Sequence, residues 1–228
     1  MPPHEIIASG LTPDHEALTL TVEHGDHVVR VRGELLMSSR LTGSEQAMAR
    51  LACSELAMPR APRALIAGLG MGFTLRALLD EFDHSASVDV IELLDDVVSW
   101  NRGVLAEHAQ RPLEDPRVQL HCGNLSTYLT TVSAPYDTIL IDIDNGPEAF
   151  TVSSNQTVYS AAGLKQLYQA LTIGGGVIVW SAFRSPGFEA RLRAAGFEAR
   201  SVSVRARTGA RKGARHTLFF GKRIAGSD

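Results

Sequence analysis

The sequence predicts an α/β fold: a mostly parallel seven-stranded sheet covered by helices, finishing in an antiparallel hairpin and preceded by a small N-terminal β-meander. Three observations lead there. From Arg63 onward, short apolar runs alternate with amphipathic segments, which is the sequence form of strands covered on both faces by helices. Before residue 43 the pattern is apolar and polar alternation separated by turn residues. After Gly196 two further alternating segments flank a Gly- and Arg-rich loop, as in a late hairpin.

The meander is carried by Ala17-Leu18-Thr19-Leu20-Thr21-Val22 and His27-Val28-Val29-Arg30-Val31-Arg32, with Glu23-His24-Gly25-Asp26 turning between them. Gly33 to Ser39 adds another short strand. Residues 1–42 form this first unit, and 43–228 form the larger domain. That domain opens with a helix over Gly43 to Ala52, with Ser44 as the expected N-cap, stopped by Pro59 and Pro62. Strands are expected at Ala64 to Ala67, Ser87 to Ile91, Val118 to His121, Thr138 to Ile141 and Gly176 to Trp180. Between them the spacing predicts helices over Thr74 to Glu81, Asp95 to Glu107, Leu125 to Thr130 and Ala161 to Ala170. Phe188 to Ala195 is a last helix, stopped by Gly196, before strands at Ala199 to Arg207 and His216 to Lys222. A parallel sheet with this ending has the pattern of the Rossmann-like class I methyltransferase fold rather than that of the nicotinamide-binding Rossmann fold.

At 228 residues with a formal charge of −3, the chain can bury a sizeable core and has no basic excess. Nucleic acid and acidic membranes are therefore not expected partners. No apolar run approaches the roughly eighteen residues a membrane span requires. Cys53 and Cys122 lack metal-type spacing, the eight histidines show no paired-ligand motif, and no metal is expected. The opening MPPHEIIASG has no basic stretch followed by an apolar one, so a cytoplasmic, reduced protein is expected. The basic run Arg205 to Arg215 reads as a solvated hairpin loop, having no interleaved aromatic platform for bases.

Three successive strand ends carry chemistry suited to a nucleoside. Gly68-Leu69-Gly70-Met71-Gly72 links a strand to a helix, where glycine admits positive φ and close ligand approach beside free helix N–H groups. About twenty residues on, Glu92, followed by Leu93, ends the next strand, where a carboxylate can accept bonds from ribose hydroxyls. The third strand ends in His121-Cys122-Gly123-Asn124-Leu125. Asn124 there can read an adenine amino group with Leu125 against the ring, or can serve as an ordinary turn and N-cap. Open α/β sheets bind ligands along this edge, and S-adenosylmethionine is the expected cofactor.

The fourth strand ends in Ile139-Leu140-Ile141-Asp142-Ile143-Asp144-Asn145-Gly146-Pro147-Glu148. Residues two apart on a strand share a face, so Asp142 and Asp144 would point the same way if the strand persisted. Beside the sulfonium of such a cofactor, a carboxylate can hold an amine and accept its proton. Asp144 next to Asn145-Gly146 is equally suited to a plain turn. Trp180 and Phe183, after the fifth strand, are candidates for a substrate wall or for packing.

The glycine loop, Glu92, Tyr136 to Asp144 with Gly146-Pro147, Tyr159-Ser160-Ala161-Ala162-Gly163-Leu164, and Leu171 to Gly176 together resemble spermidine synthase and its relatives. The resemblance implies a small β-domain ahead of the methyltransferase-like domain, a homodimer, and a catalytic aspartate at Asp142. Asp144 stands one residue before the position of that family's second acid. Met71 occupies the place of the family's loop acid, which helps hold the amine of decarboxylated S-adenosylmethionine. The polyamine-binding segment has its counterpart only in Ser44-Glu45-Gln46-Ala47-Met48. On these differences the sequence is read first as an S-adenosylmethionine-dependent methyltransferase acting on a small amine, with cofactor contacts from Gly68, Leu69, Gly70, Met71, Gly72, Glu92, Leu93, Asn124, Leu125 and Asp142. The alternatives are a polyamine aminopropyltransferase using decarboxylated S-adenosylmethionine and, after it, a non-catalytic nucleoside-binding module. A nicotinamide-dependent oxidoreductase ranks last, disfavoured by the late hairpin.

Overall fold

Two sheets carry the chain in a computed structural model that describes residues 5–143, 146–147, 153–207 and 212–225. The first is an antiparallel meander of β1 (Glu5–Leu11), β2 (Ala17–Glu23), β3 (Asp26–Val31) and β4 (Glu34–Ser38), paired in sequence order. Strand β1 is not among the sequence expectations. It buries no residue fully: Ala8 and Gly10 on one face are half-buried and the other five residues are exposed, so only a weak stripe marks it, and pairing with β2 holds it in place. His24 and Gly25 turn β2 into β3 with positive φ, as hairpin geometry requires.

Helix α1 (Gly43–Glu55) then leads into β5 (Arg63–Ala67), α2 (Phe73–Glu81), β6 (Ser87–Glu92), α3 (Asp95–Arg102), β7 (Val118–Cys122), α4 (Leu125–Leu129), β8 (Tyr136–Ile141), α5 (Ala161–Gln169), β9 (Leu171–Ser181), α6 (Pro186–Ala194), β10 (Phe197–Arg205) and β11 (Arg215–Arg223). The second sheet runs β10-β11-β9-β8-β5-β6-β7. Neighbours from β7 to β9 are parallel, and β11 enters antiparallel between β9 and β10. The expected seven-stranded, mostly parallel sheet with a terminal hairpin is present. The hairpin inserts its second strand next to β9, which burial explains: Leu218, Phe219 and Phe220 of β11 are buried, whereas β10 alternates.

Two helical expectations change. The segment 95–107 splits: α3 stops at Arg102 before Gly103, and a short 3₁₀ turn, Ala106–Ala109, follows. Thr42, not Ser44, occupies the N-cap of α1. Ser44 lies inside the first turn and spends its hydroxyl on tertiary partners.

One face of the large sheet packs with the meander, α1 and α2 in a single core that includes Leu18, Leu20, Val29, Met48, Ile66, Leu75 and Leu140. The opposite face packs Leu65, Ile139, Leu164, Leu167, Val177 and Phe188. A polar knot ties β5 to β8 on this second side. Asp89 accepts bonds from Tyr136 Oη at 2.7 Å and Arg63 Nη2 at 3.2 Å, with His121 Nε2 at 3.2 Å. Tyr136 is fully buried, lies 2.9 Å from the Tyr128 hydroxyl and carries the Arg63 guanidinium over its ring. No helix of the described residues is long and apolar enough to cross a membrane.

Removing the Tyr136 hydroxyl leaves the Asp89 carboxylate short of a buried partner. Tyr136→Phe is expected to cost about 1–3 kcal/mol, read as a lower urea midpoint at unchanged slope.

Candidate active site

The carboxyl ends of β5, β6, β7 and β8 meet at one cavity of about 270 Å³. Its floor is made by backbone bonds that continue the sheet past its strands. Gly68 N donates to Ile91 O at 2.9 Å, Asp142 N to Ala67 O at 2.8 Å, and Gly123 N to Glu92 O at 2.8 Å. Gly68, Gly70 and Gly72 all have positive φ. At Gly68 a side chain would collide with the Asp142 carbonyl, so only glycine lets β5 and β8 end together. At Gly70 the nearest atom to an added carbon would be Met37 Sδ at 3.8 Å, which leaves that backbone open to a ligand. Asn101 of α3 holds the loop from below, its Nδ2 donating to Gly70 O at 2.7 Å.

Glu92 is buried and lines the cavity. Its Oε2 accepts from Leu69 N at 2.8 Å and its Oε1 from Leu94 N at 2.9 Å. Burial pushes its carboxyl above the ordinary range, while these backbone donors pull the other way. Lining the cavity, the carboxylate is an acceptor of the kind that suits a ribose hydroxyl. Leu69, Met71, Leu93 and Leu125 join it in the lining, together with Gly68, Gly70 and Asp142. Gly72 serves instead as the N-cap of α2, and Asn124 as that of α4, its Oδ1 accepting from Ser126 N at 2.8 Å. Neither is part of the cavity lining. The buried carboxylate, the open glycine backbone and the apolar flanks fit an adenosyl group.

The roof comes from the meander: Val31, Leu35, Leu36, Met37 and Ser38 close over the loop. At the far end stand Trp180, Ala182 and His216. Trp180 is thus a wall, whereas Phe183 is 65% exposed and outside the lining. His216, for which the sequence offers no role, packs its ring against Trp180 at 4.7 Å.

Asp142 ends β8 inside this cavity and accepts a 2.6 Å bond from Thr74 Oγ1. Burial pushes its carboxyl up to about 6, against the pull of Thr74. Its electrostatic neighbour is Glu45 of α1, also in the lining. Burial, and then the nearby Asp142 charge, push Glu45 up to about 8. The surface that both acids retain opens onto the cavity. The sequence suggests a pair within one strand end, Asp142 with Asp144; Asp144 lies outside the described residues. The pairing the structure shows joins residues 45 and 142 from different elements. Only the segment Ser44 to Met48 in the sequence hints at it.

A family model of the spermine/spermidine synthase domain matches residues 46–192. The chain therefore belongs to the spermine/spermidine synthase family. Its fold is similar to a spermidine synthase crystallised with the transition-state analogue AdoDATO, with a TM-score of 0.75, 18% identity and coverage of 98% of this chain and 73% of that one. It is equally similar to spermidine synthase from Thermotoga maritima, with a TM-score of 0.75, 20% identity and coverage of 97% and 74%. No curated protein sequence matches the chain.

Two acids with raised folded-state values favour folding below their ordinary values, 4.5 for Glu45 and 3.8 for Asp142, and lose that contribution as pH rises toward about 8 and about 6. Glu45→Gln is therefore expected to raise the melting temperature of the ligand-free protein at pH 8, by about 2–4 °C per kcal/mol relieved. The gain should vanish near pH 4.5, the ordinary Glu value, as followed by thermal denaturation at both pH values.

Proposed function

We propose that the protein is an aminopropyltransferase of the spermidine synthase type, moving an aminopropyl group from decarboxylated S-adenosylmethionine to a small amine. The observation that carries this reading is the Glu45 and Asp142 pair, set in one cavity with the glycine loop and Glu92. Two desolvated carboxyls, the charge of Asp142 raising the proton affinity of Glu45, form a site that a substrate ammonium would relieve. Methyl transfer, ranked first on sequence, has less support: it explains neither the second carboxyl nor the family to which the chain belongs.

The donor, when bound, supplies an electrophilic carbon beside its sulfonium. Glu92 and the glycine loop would hold its nucleoside, and the meander and Trp180 would exclude water. Asp142, fixed by Thr74, would orient the acceptor amine at the end of β8. The carboxyl pair takes one ammonium proton, freeing the nitrogen lone pair to form the new N–C bond. The C–S bond breaks with its electrons left on sulfur, giving a neutral thioether.

One observation favours methyl transfer as a second reading. Met71, in the place of the family's loop acid, is 4% exposed within the apolar core and cannot hold an ammonium on the donor.

Incubation with each donor and a panel of diamines, followed by mass spectrometry, separates the readings. The expected product is heavier by one aminopropyl group and forms only from the decarboxylated donor; methylated amine would establish the second reading. Asp142→Asn is expected to lower kcat about 10²- to 10⁴-fold, with donor affinity by calorimetry little changed. Undiminished turnover by that variant would remove Asp142 from the chemistry.

A further inference from the structure

The hydrogen-bonded groups at the cavity do not stop at Glu45. Ser44 Oγ lies 2.7 Å from Glu45 Oε2 and 2.9 Å from His216 Nδ1. Ser44 is fully buried and His216 half-buried, brought in from β11. A hydroxyl has one proton and two lone pairs, so Ser44 donates in one direction at a time. When it donates to a Glu45 carboxylate, His216 Nδ1 must carry a proton and donate to Ser44. When it donates to His216 Nδ1, a protonated Glu45 must donate to Ser44. The two arrangements differ by the passage of one proton between carboxyl and imidazole.

Amine alkylation needs such a passage. An acceptor entering as an ammonium must lose a proton before it attacks, and the carboxyl that receives it must be freed of it before the next turnover. We propose that Ser44 and His216 form a relay that carries the acceptor's proton from Glu45 out of the cavity. The proposal rests on the transferase reading above and names residues that act through Glu45 without touching the reacting atoms.

In the forward direction Glu45, held ionised by the ammonium bound beside it, forms an O–H bond at Oε2 as an ammonium N–H breaks, the electron pair remaining on nitrogen for the N–C bond. With the proton on Glu45, His216 takes its Nε2–H tautomer and Ser44 turns to donate to the bare Nδ1; the Glu45 proton then moves to Ser44 Oγ while the Ser44 proton moves to His216 Nδ1, and loss of the Nε2 proton restores the starting arrangement. The imidazolium, which keeps some exposed surface, returns a proton to water. Burial lowers the proton affinity of His216, which favours that release. The titratable groups among the described lining residues are Glu45 from α1, Glu92 from β6, Asp142 at the end of β8 and His216 from β11. Glu92 is occupied by the backbone N–H groups of Leu69 and Leu94. Trp180 from β9 presents an uncharged ring to His216.

The test has two arms. In the ligand-free protein, imidazole NMR should show the His216 titration moved by about half a pH unit or more in Glu45→Gln, and the coupling lost in Ser44→Ala. A His216 titration indifferent to both changes would overturn the relay whatever the enzyme does. In the second arm, Ser44→Ala and His216→Ala should lower kcat about tenfold or more with donor affinity unchanged. Ser44→Thr should restore turnover to the first, and added imidazole to the second. Wild-type kcat and pH profile in folded Ser44→Ala would defeat the relay alone. No transfer to any amine by the wild-type protein would defeat the transferase reading and the relay with it.

Discussion

Two carboxyl groups within electrostatic reach of each other in a mostly apolar cavity are costly to a fold, and much of this structure is arranged around keeping them there. Asp142 stays because β8 is a buried central strand whose end is bonded to Ala67 and backed by Thr74. Glu45 stays because α1 packs Met48, Ala49 and Ala52 into the core, leaving no freedom to swing its first turn toward solvent. Ser44 lowers the cost at Glu45 with a hydroxyl, and His216 supports Ser44 in turn. Strand β11 belongs to this site as much as to the sheet, because its position between β9 and β10 delivers His216. Removing either acid would ease the fold, and acids kept at such a cost are characteristic of functional positions.

The glycine-loop end of the cavity is built differently, from backbone more than side chains. Strand ends continue hydrogen bonding beyond the regular sheet, and that tight junction is where glycine is required. Glu92 is held by two N–H groups rather than by a cation. No positive charge among the causes of its shift competes with a ligand for the carboxylate. The meander supplies the roof, with Met37 above Gly70 and Leu18, Leu20, Val29 and Val31 sharing the core of the large sheet. A roof that shares the main core restricts water access without a separate moving part.

Legibility in the sequence followed the range of the interactions. Strand ends in order, the glycine loop, Glu92 and Asp142 are local patterns, each set by a strand running into a turn. Strand β1 half-buries only Ala8 and Gly10, small residues that leave no apolar alternation to read. A serine at a helix start reads as a cap, and only contact with a residue 172 positions away reveals the other use of Ser44. Asn101 was missed for a similar reason: an asparagine within a helix gives no sign that it bonds the Gly70 carbonyl 31 residues earlier.

What the sequence determined by itself was the scaffold: apolar periodicity, glycine placement and strand-end acids depend on neighbours along the chain. Which acid pairs with Asp142, and what stands behind that pair, were decided by the tertiary structure. The sequence set Asp142 beside Asp144, whereas packing α1 and β11 against the large sheet brought Glu45, Ser44 and His216 to it. The reason is physical. Coulombic and hydrogen-bond energies depend on distance through space and on local burial, and neither is a function of separation along the chain.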